Sequence, residues 1–552
     1  MLDRRVFVRS TLAASALAAL CGCAGPGSKD DHQPPEEEVP IAREDAVLRF
    51  HILNPISIDP YDAQDSEGMQ VVHQLFDPLT TYDWDAGALV GKAAVDWEAN
   101  DDLDVFVFHL VEGATFHNGE AVDAESFKRG WERICDPRMN PPSSIRYHLD
   151  PVVGSKEMAN GSATELAGVE VVDKYTLRVS LTAPMADFPY VCAHPALVPV
   201  PQAALDDPAS FLMKPIGNGP FMMEEPWVID QYVRLKRFDG YYGDLASLGG
   251  VNFSISQSNH IGFQEFEAGH LDFTPIAKGR FGEMRDNYGL SQDGYTITPE
   301  GRVLTGPECS IYYLAVNCQD KAMKDVRVRR ALSLAINRQR ISDEIFGGTF
   351  PVADRMIPPA IDDDPSGGWD CCRYDVEAAR ELLDESYPSD DEGMRGLEVT
   401  LVYSTGGGHD DIMKRVANDL RDVGVGVRMD SLEWAASIGK LTDGRFQLGR
   451  MGWFADYPTM DNFLYPNFFS SSKNNYSHYT NDEVDKALED ARSISDEEER
   501  KEAYRRIHHL IGRDVPVIPL LFYSHNHIGS GKIIRLYDDP QGMAHLANAL
   551  MA

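Results

Sequence analysis

The sequence predicts an α/β protein with more than one domain. Its 552 residues are too many for a single compact core, and length alone suggests two to four domains. Residues 397–403 alternate apolar and polar side chains, 412–420 repeat apolar residues at helical spacing up to Gly424, and 425–429 form a further strand. A strand–helix–strand unit places its two strands in parallel, so at least one sheet should contain parallel strands.

The other elements follow from the same two periodicities and from capping residues. Asp123 is a good N-cap, and Phe127, Trp131 and Ile134 then fall on one face of a helix. Two C-terminal helices open with capping boxes, a hydroxyl residue three positions before a glutamate. In chain order the further predictions are a strand at 47–52, a helix at 66–75, strands at 104–110 and 175–181, a helical stripe at 328–336, the capping boxes Thr480 to Glu483 and Ser495 to Glu498, and a last strand at 515–523.

The composition is globular and strongly acidic. The chain is 43% hydrophobic and 25% charged, with 51 Lys and Arg against 87 Asp and Glu, for a net charge of −36. So negative a surface repels phosphate backbones and anionic lipid headgroups, and no nucleic-acid partner is expected. The same charge favours approach of cationic or zwitterionic solutes, or serves solubility alone.

The first 22 residues have the composition of an export signal. Arg4, Arg5 and Arg9 form a basic start, and residues 11–20 form an apolar run. That run is too short to span a bilayer, which needs about 20 apolar residues. D-R-R-V-F-V-R resembles a twin-arginine signal, and L-C-G-C resembles a lipoprotein signal in which Cys23 is acylated.

Residues 23–45 should form a lipidated cysteine followed by a flexible tether. The segment is polar, acidic and rich in proline, and it offers no apolar face to offset the entropy of ordering. No later stretch has the composition of a membrane span. We therefore expect an exported monomer that is lipid-anchored to the outer face of the cytoplasmic membrane, at the cell surface or in the periplasm.

The cysteines and histidines predict neither a metal nor a cofactor. Six cysteines remain after the signal and lipid positions, and their 15 possible pairings leave the disulfide pattern open. Neither C-x-x-C nor a zinc-type Cys/His cluster occurs. The adjacent His508 and His509 point apart on a helix, and the His525-Asn526-His527 run is the other candidate for a metal. Without G-x-S-x-G, H-E-x-x-H or a convincing acid pair, a hydrolase is disfavoured and no catalytic residue is assigned.

The most informative stretch is 446–479, where one acid stands among aromatic residues. Asp456 follows Trp453 and precedes Tyr457, with Arg450 six residues upstream. A carboxylate that loses its water to aromatic neighbours is costly to keep ionised unless a cation compensates it. Two hypotheses follow: an internal ion pair between Arg450 and Asp456 under an aromatic cover, or a carboxylate that receives a ligand's ammonium group.

Two motifs then connect the chain to a known family. The runs G-R-M-G-W-F-A-D-Y-P-T-M-D-N-F-L and F-H-N-G-E-A-V-D-A-E-S-F-K-R-G-W resemble segments of the family 5 extracellular solute-binding proteins of ABC transporters, oligopeptide-binding type. The resemblance implies a two-lobed, type II periplasmic-binding-protein-like fold of the large class, with an inserted subdomain and a ligand cleft between the lobes. Lobe I is assigned to 46–75, 200–305 and 515–552, the inserted subdomain to 76–199, and lobe II to 306–514.

The resemblance also assigns roles to individual residues. In the family the acid at the position of Asp456 takes the α-ammonium of a bound peptide. Trp434 and Trp453 are 19 residues apart, as in the peptide binders, where both tryptophans line side-chain pockets. Arg450 and His409 match positions that meet the ligand's carboxylate directly or through water.

Two positions depart from the family pattern. Gln64 stands where some peptide binders carry a second acid for the ligand amine, and the family's cleft tyrosine corresponds by spacing to about Ser143. Because Gln64 is not an acid, binding of the ligand amine by two carboxylates is in doubt. Tyr457 completes the W-x-x-D-Y segment and joins the candidate ligand-binding residues.

The expected function is capture without chemistry. An oligopeptide would bind between the lobes and be delivered to the permease subunits of an ABC importer. The alternatives are the same fold with a nickel chelate, haem or an oligosaccharide as ligand, and a receptor that senses peptides. Sequence alone leaves the peptide length, the permease and the choice between uptake and sensing open.

Overall fold

The computed structural model describes Arg43 and residues 45–552. The predicted signal peptide, the acylation site Cys23 and nearly all of the predicted tether lie outside these residues. Within the described residues, the strands are β1 Val47–Ile52, β2 Thr80–Asp83, β3 Ala88–Gly91, β4 Ala94–Ala99, β5 Val105–Leu110, β6 Val169–Asp173, β7 Thr176–Ser180, β8 Phe221–Met223, β9 Tyr232–Arg237, β10 Gly250–Ile255, β11 Phe273–Pro275, β12 Thr296–Ile297, β13 Val303–Leu304, β14 Ser310–Val316, β15 Glu398–Ser404, β16 Gly426–Leu432, β17 Leu448–Phe454, β18 Val517–Leu521, β19 His527–Gly529, β20 Ile533–Tyr537 and β21 Leu550–Met551.

Helices are interspersed with these strands. They are α1 Ser66–Leu75, α2 Ala124–Cys135, α3 Ser155–Ala159, α4 Phe188–Val191, α5 Ala203–Asp206, α6 Pro208–Met213, α7 Asn259–Glu267, α8 Phe281–Tyr288, α9 Val326–Ala335, α10 Arg338–Phe346, α11 Val376–Ser386, α12 His409–Asp422, α13 Trp434–Thr442, α14 Met460–Phe468, α15 Asp482–Arg492 and α16 Glu497–Asp514, with short 3-10 turns at Pro60–Asp62, Arg146–Leu149, Pro365–Gly367, Asp370–Cys372 and Leu546–Asn548. In the part of the chain that is described, none of these helices combines the length and the apolar composition that a bilayer crossing requires.

Three sheets carry the architecture. The first sheet has seven strands in the order β13-β19-β11-β1-β10-β9-β8, and β1 pairs in parallel with β10. The second sheet has five strands in the order β16-β15-β17-β14-β18, and a four-stranded sheet, the subdomain sheet, has the order β4-β5-β7-β6. Each sheet packs in its own apolar core, and the largest core surrounds the second sheet, where all seven residues of β14 are buried.

The elements predicted from local signals are confirmed. Strand β1 and helix α1 have the predicted bounds, and β15, α12 and β16 form the predicted parallel unit. Helix α2 begins after Asp123, whose carboxylate accepts from Ser126 N at 3.0 Å. Its predicted face is buried in the subdomain core, with Phe127 and Trp131 fully covered.

Two predictions are corrected at the C-terminal end. The predicted N-caps are displaced by one residue, because Asn481 rather than Thr480 caps α15, and Asp496 rather than Ser495 caps α16. The last strand, placed in lobe I together with all of 515–552, instead pairs with β14 of the second sheet. All five of its side chains are buried, and an apolar run of this kind does not encode which of two cores it enters.

The chain passes between the first and second sheets along two neighbouring crossover segments, 305–309 and 522–526. They lie side by side as an antiparallel bridge at Pro307 and Ser524, and Glu308 N donates to Tyr523 O at 2.9 Å. The six cysteines within residues 45–552 are free thiols. None of the 15 possible pairings is formed among them.

Candidate functional site

Asp456 lies in the turn that joins the edge of the second sheet to helix α14. Strand β17 ends at Phe454, opposite Ser310 of β14, and α14 begins at Met460. The Asp456 amide donates to Oδ1 of Asn462 at 3.1 Å, and Nδ2 of Asn462 donates to Asp456 Oδ2 at 3.1 Å. Asn462 therefore holds both the backbone and the carboxylate of the acid. The same Oδ1 accepts from Trp453 Nε1 at 3.1 Å, which fixes the indole beside it.

The other side of the Asp456 carboxylate is contacted by a turn that lies between strands β5 and β6 of the subdomain sheet in the sequence. The Tyr147 hydroxyl, in the turn Arg146–Leu149, donates to Asp456 Oδ1 at 2.8 Å. His148 Nε2 lies 3.8 Å from the same oxygen and is buried without a hydrogen-bond partner. The His148 and His194 rings pack with their centroids 4.3 Å apart. We call Asp456, Asn462, Tyr147, His148 and His194 the acid site.

The acid site contains no resident cation. Burial lowers the pKa of both His148 and His194 to about 3, so both imidazoles are neutral at physiological pH. Burial also raises the pKa of Asp456, against the lowering effects of His194, Asn462 and Tyr147. No lysine or arginine of the described residues forms an ion pair with Asp456, so its charge is held by neutral hydrogen-bond donors alone.

The hypothesis of an internal Arg450–Asp456 pair is wrong. Arg450 lies inside β17, and a strand rises about 3.3 Å per residue, so its Cα is separated from that of Phe454 by roughly 13 Å. Its Nη2 instead donates to the Tyr523 hydroxyl at 2.9 Å, and its guanidinium lies 4.8 Å from the centre of the Tyr312 ring.

His409 joins Arg450 in this second group. It is the first residue of α12, and its Nδ1 lies 3.2 Å from the Tyr312 hydroxyl. Burial and the nearby Arg450 charge lower the pKa of His409 to about 4, so the ring is neutral at pH 7. We call Arg450, His409, Tyr312 and Tyr523 the arginine cluster. Its members are predicted residues Arg450 and His409 together with two tyrosines that the sequence did not single out.

A cavity of about 930 Å³ opens beside the acid site. Asp456, Tyr457 and Gln64 are among its lining residues, whereas Trp453, Trp434, Arg450 and His409 are not. The structure thus separates the seven predicted ligand-binding residues into two groups. Aromatic and charged side chains form much of the remaining wall, among them Tyr82, Trp84, Tyr241, Tyr242, Lys92 and Arg535.

Three predicted residues have environments that refine their roles. Tyr457 is buried in the subdomain core, and its hydroxyl donates to Asp461 Oδ2 at 3.5 Å. Gln64 is exposed at the cavity and faces the Tyr147 phenol. Trp434 begins helix α13, and 52% of its surface is exposed, so its ring is available to a ligand or partner.

Four residues of the acid site were missed from sequence. Tyr147 places its hydroxyl on Asp456, whereas the hydroxyl of Ser143, four residues upstream, donates to the Tyr61 carbonyl. Only Asn462 carried a local signal, as a polar residue within the motif of Asp456. His148 and His194 come from distant stretches and have none.

The chain is similar in sequence to known proteins along most of its length. The family model for bacterial extracellular solute-binding proteins, family 5 Middle, matches residues 88–475. The periplasmic oligopeptide-binding protein OppA of Salmonella typhimurium is 27% identical over 536 residues, which cover 93% of each chain. The sequence similarity thus extends beyond the motifs to nearly the whole protein.

Solved structures show the fold. The unliganded open form of the periplasmic murein tripeptide-binding protein MppA superposes with a TM-score of 0.77 at 25% identity, covering 93% of this chain and 98% of that one. NikA of Brucella suis, in complex with Fe(III)-EDTA, gives 0.78 at 20% identity, covering 92% and 100%, and shows the fold alone. The predicted two-lobed type II fold is confirmed. The chain belongs to the bacterial extracellular solute-binding proteins of family 5, which are binding proteins and not enzymes.

Proposed function

We propose that this protein captures oligopeptides outside the cytoplasm and delivers them to the permease of an ABC importer. The observation that carries the proposal is Asp456: a largely buried carboxylate, held by neutral donors, beside a cavity of about 930 Å³. Such a carboxylate is stabilised most by a cation that arrives with the ligand. The N-terminal ammonium of a peptide supplies that charge and three hydrogen-bond donors.

The acid site is preorganised for this role. Tyr147 and Asn462 hold one carboxylate oxygen each, so the group does not have to be ordered when the ligand binds. The neutral His148 and His194 contribute a low-polarity wall without competing as cations. The ammonium would therefore meet a full negative charge in a poorly solvated position, where an ion pair is stronger than in water.

The cavity suits a peptide of varied sequence. Its volume lies near the upper end of the usual 300–1,000 Å³ for ligand sites. Extended peptides can pair their backbone with strand edges, which makes binding independent of side-chain identity, while ordered water fills the space around each side chain. Arg535 lines the same cavity and is exposed, and we propose it as a cation for the peptide's carboxylate.

We assign the residues outside the cavity to ligand contacts made when the lobes close. Trp434 and Trp453 would line side-chain pockets, and the arginine cluster would meet a ligand carboxylate directly or through water. The Arg450 Nε is buried without a hydrogen-bond partner, which leaves the cluster one donor for such a contact. Hinge closure between lobes is the motion that brings separate walls onto one ligand.

Titration calorimetry of the purified protein with a tripeptide and its N-acetylated form tests the proposal. The free tripeptide should bind, and acetylation should abolish most of the affinity. Asp456→Asn should weaken binding of the free tripeptide by about 2–5 kcal/mol, which lowers the affinity on the order of thirtyfold to several thousandfold. Asp244→Asn removes an exposed acid that lines the same cavity and serves as the matched control.

Equal binding of the free and acetylated peptides would contradict the role of Asp456. If neither form binds, the peptide proposal fails, and metal chelates and oligosaccharides become the ligands to test. Peptide sensing differs from uptake in its consequence rather than in its binding step, so growth on a peptide as sole source of an essential amino acid separates the two.

We also propose that the protein works as a monomer tethered by a lipid on Cys23. A Cys23→Ser variant should be released from membranes into the soluble fraction while it keeps its peptide affinity. Cys318→Ser, which changes a cysteine of the folded part, is the control. Retention of the Cys23 variant in the membrane fraction would contradict the anchor.

A further inference from the structure

A group of metal-type donor atoms lies at the crossover between the first and second sheets. His525 and His527 come from the second crossover segment and the start of β19, and Asp538 directly follows β20. One donor atom from each lies within 4.8 Å of the other two. Glu308 approaches from the first crossover segment. None of the four residues lines the large cavity.

The distances between donor atoms match the edges of a metal coordination sphere. His527 Nδ1 lies 2.9 Å from Asp538 Oδ2, and His525 Nδ1 lies 3.5 Å from the same oxygen and 3.6 Å from Glu308 Oε1. A tetrahedral zinc ion with bonds of 2.0–2.1 Å separates its donor atoms by about 3.3 Å. The 2.9 Å contact is also a hydrogen bond between His527 Nδ1 and Asp538 Oδ2, whose proton a bound ion would displace, whereas the two contacts of His525 Nδ1 are longer than normal hydrogen bonds.

Two of the donor atoms are buried without a hydrogen-bond partner. The His525 side chain is 1% exposed, and its Nε2 donates to the Asp539 carbonyl at 2.9 Å, which turns Nδ1 toward the carboxylates of Asp538 and Glu308. Neither that Nδ1 nor Oδ1 of the equally buried Asp538 has a hydrogen-bond partner. A buried imidazole nitrogen and a buried carboxylate oxygen without partners are costly unless something binds between them.

The arrangement has a local cause in the sequence. Residues at i and i+2 of an extended segment point to the same side, so His525 and His527 present their rings together. The antiparallel bridge at Pro307 and Ser524 then places Glu308 beside them. No metal was predicted for this histidine run from sequence. Its two acids come from 11 or more positions away along the chain, so no local spacing indicates the group.

We propose that this crossover holds a divalent transition-metal ion of the Zn²⁺ class. His525 Nδ1, His527 Nδ1 and a carboxylate oxygen of Asp538 would be its ligands, with Glu308 completing a tetrahedral set. Imidazole and carboxylate donors suit such an ion. It would bind both crossover segments to the chain that follows β20, and so stabilise the connection about which the lobes move. The site does not depend on which ligand the large cavity takes.

Metal titration of the purified full chain, without a polyhistidine tag and stripped with a chelator, tests the site. Co²⁺ should bind at one ion per chain and produce the visible absorption bands of a tetrahedral complex, and Zn²⁺ should displace it. Zn²⁺ should also raise the melting temperature, because it binds the native state preferentially. The absence of a tight one-to-one complex would overturn the proposal.

Two variants tie the ion to these residues. His527→Ala should weaken Zn²⁺ by at least a hundredfold, and Glu308→Gln by about ten- to a hundredfold. His270→Ala is the control, because His270 also contacts a carboxylate, that of Glu265, but lies exposed elsewhere. The melting temperature of each metal-free variant reports whether it is folded. Folded His527 and Glu308 variants that bind Zn²⁺ like the wild type, or a His270 variant that loses it, would overturn the assignment.

Discussion

Two acids five residues apart, Asp456 and Asp461, differ in whether the protein supplies a cationic partner for their charge. Asp461 is fully buried and paired with Arg492, whose Nε and Nη2 donate to its two oxygens at 2.8 and 2.7 Å. The Tyr504 hydroxyl adds a third bond at 3.1 Å. Asp456 has hydrogen bonds to both oxygens and no cation. The protein itself neutralises the charge of Asp461 and leaves Asp456 without a cation, which the proposed function assigns to the ligand.

The difference lies in what each acid does for the protein. A complete buried ion pair is a structural element, because either partner alone would be a desolvated charge. A buried carboxylate with only neutral donors costs stability, which a binding site recovers when its ligand arrives. Position within the motif therefore does not distinguish a ligand-binding acid from a structural one. The groups that contact each carboxylate do distinguish them.

Removing the paired acid should have the largest effect. Asp461→Asn leaves the largely buried Arg492 guanidinium without its counter-charge, and we expect the free energy of unfolding to fall by about 3–5 kcal/mol. Urea denaturation of the ligand-free protein measures it. Asp456→Asn should change that free energy by less than about 1 kcal/mol, because relief of desolvation offsets weakened hydrogen bonds. Equal losses for the two variants would contradict the contrast between the acids.

Weakening the hold on Asp456 should have the next largest effect. Tyr147→Phe removes the hydroxyl that donates to Asp456 Oδ1, and a hydrogen bond to a charged group contributes about 1.5–3 kcal/mol. Peptide affinity should fall by about tenfold or more in calorimetry, as the carboxylate becomes less well ordered and less readily ionised.

Tyr241→Phe is the matched control for that experiment. Tyr241 also lines the cavity and donates its hydroxyl to a buried carboxylate, Asp77, but Asp77 already has Lys92 as its cation. Peptide affinity should be nearly unchanged. A comparable loss in both variants would mean that the tyrosine hydroxyls act on the cavity as a whole rather than through Asp456.

How far the sequence predicted this site depends on where each partner comes from. Asp456 was recognisable because its aromatic neighbours are adjacent in the chain. Tyr147 reaches it across a separation of 309 residues, and no periodicity encodes that contact. The hypothesis of an Arg450–Asp456 pair failed for the opposite reason: closeness in sequence suggested the pair, whereas an extended strand carries the two residues apart.

The same reasoning applies to the fold. Helix α2 was predicted from its Asp123 cap and apolar face, which are local signals. The caps of α15 and α16 were each displaced by one residue, because neighbouring polar residues compete and tertiary packing selects between them. The sheet that β18 joins is a property of the whole chain, and its uniformly apolar sequence suits either core.

The pH dependence of binding should follow Asp456 and not the histidines. Burial raises the pKa of the free carboxyl, and a bound ammonium would lower it, so the complex requires the ionised form. Affinity should rise just below pH 8 as the peptide's α-amine, with a pKa of about 8, becomes fully protonated, then stay level, and finally fall toward tenfold per pH unit once the pH passes below the raised pKa of Asp456. Calorimetry across pH 4–8 measures this.

Asp456→Asn should flatten the acidic limb of that profile, since the residual affinity no longer depends on ionisation there. His148 and His194, with pKa values of about 3, should add no step between pH 5 and 8. A midpoint near 6.5 in the wild type would show instead that one of these imidazoles becomes charged when the ligand binds.

The smallest effect is expected in the arginine cluster. With a pKa of about 4, His409 is neutral at pH 7 and contributes at most a neutral hydrogen bond to a ligand, about 0.5–1.5 kcal/mol. His409→Ala should therefore lower peptide affinity by no more than about tenfold at pH 7, and the slope of affinity against pH should not change between pH 5 and 8.

Arg450→Gln should lower peptide affinity more than His409→Ala does if a ligand carboxylate reaches the cluster, because it removes the charge that would attract that group. Peptides with a free and an amidated C-terminus decide the point: a preference for the free carboxylate that Arg450→Gln abolishes and Arg535→Gln preserves would place the C-terminus at the cluster. The opposite pattern would place it in the cavity beside Asp456.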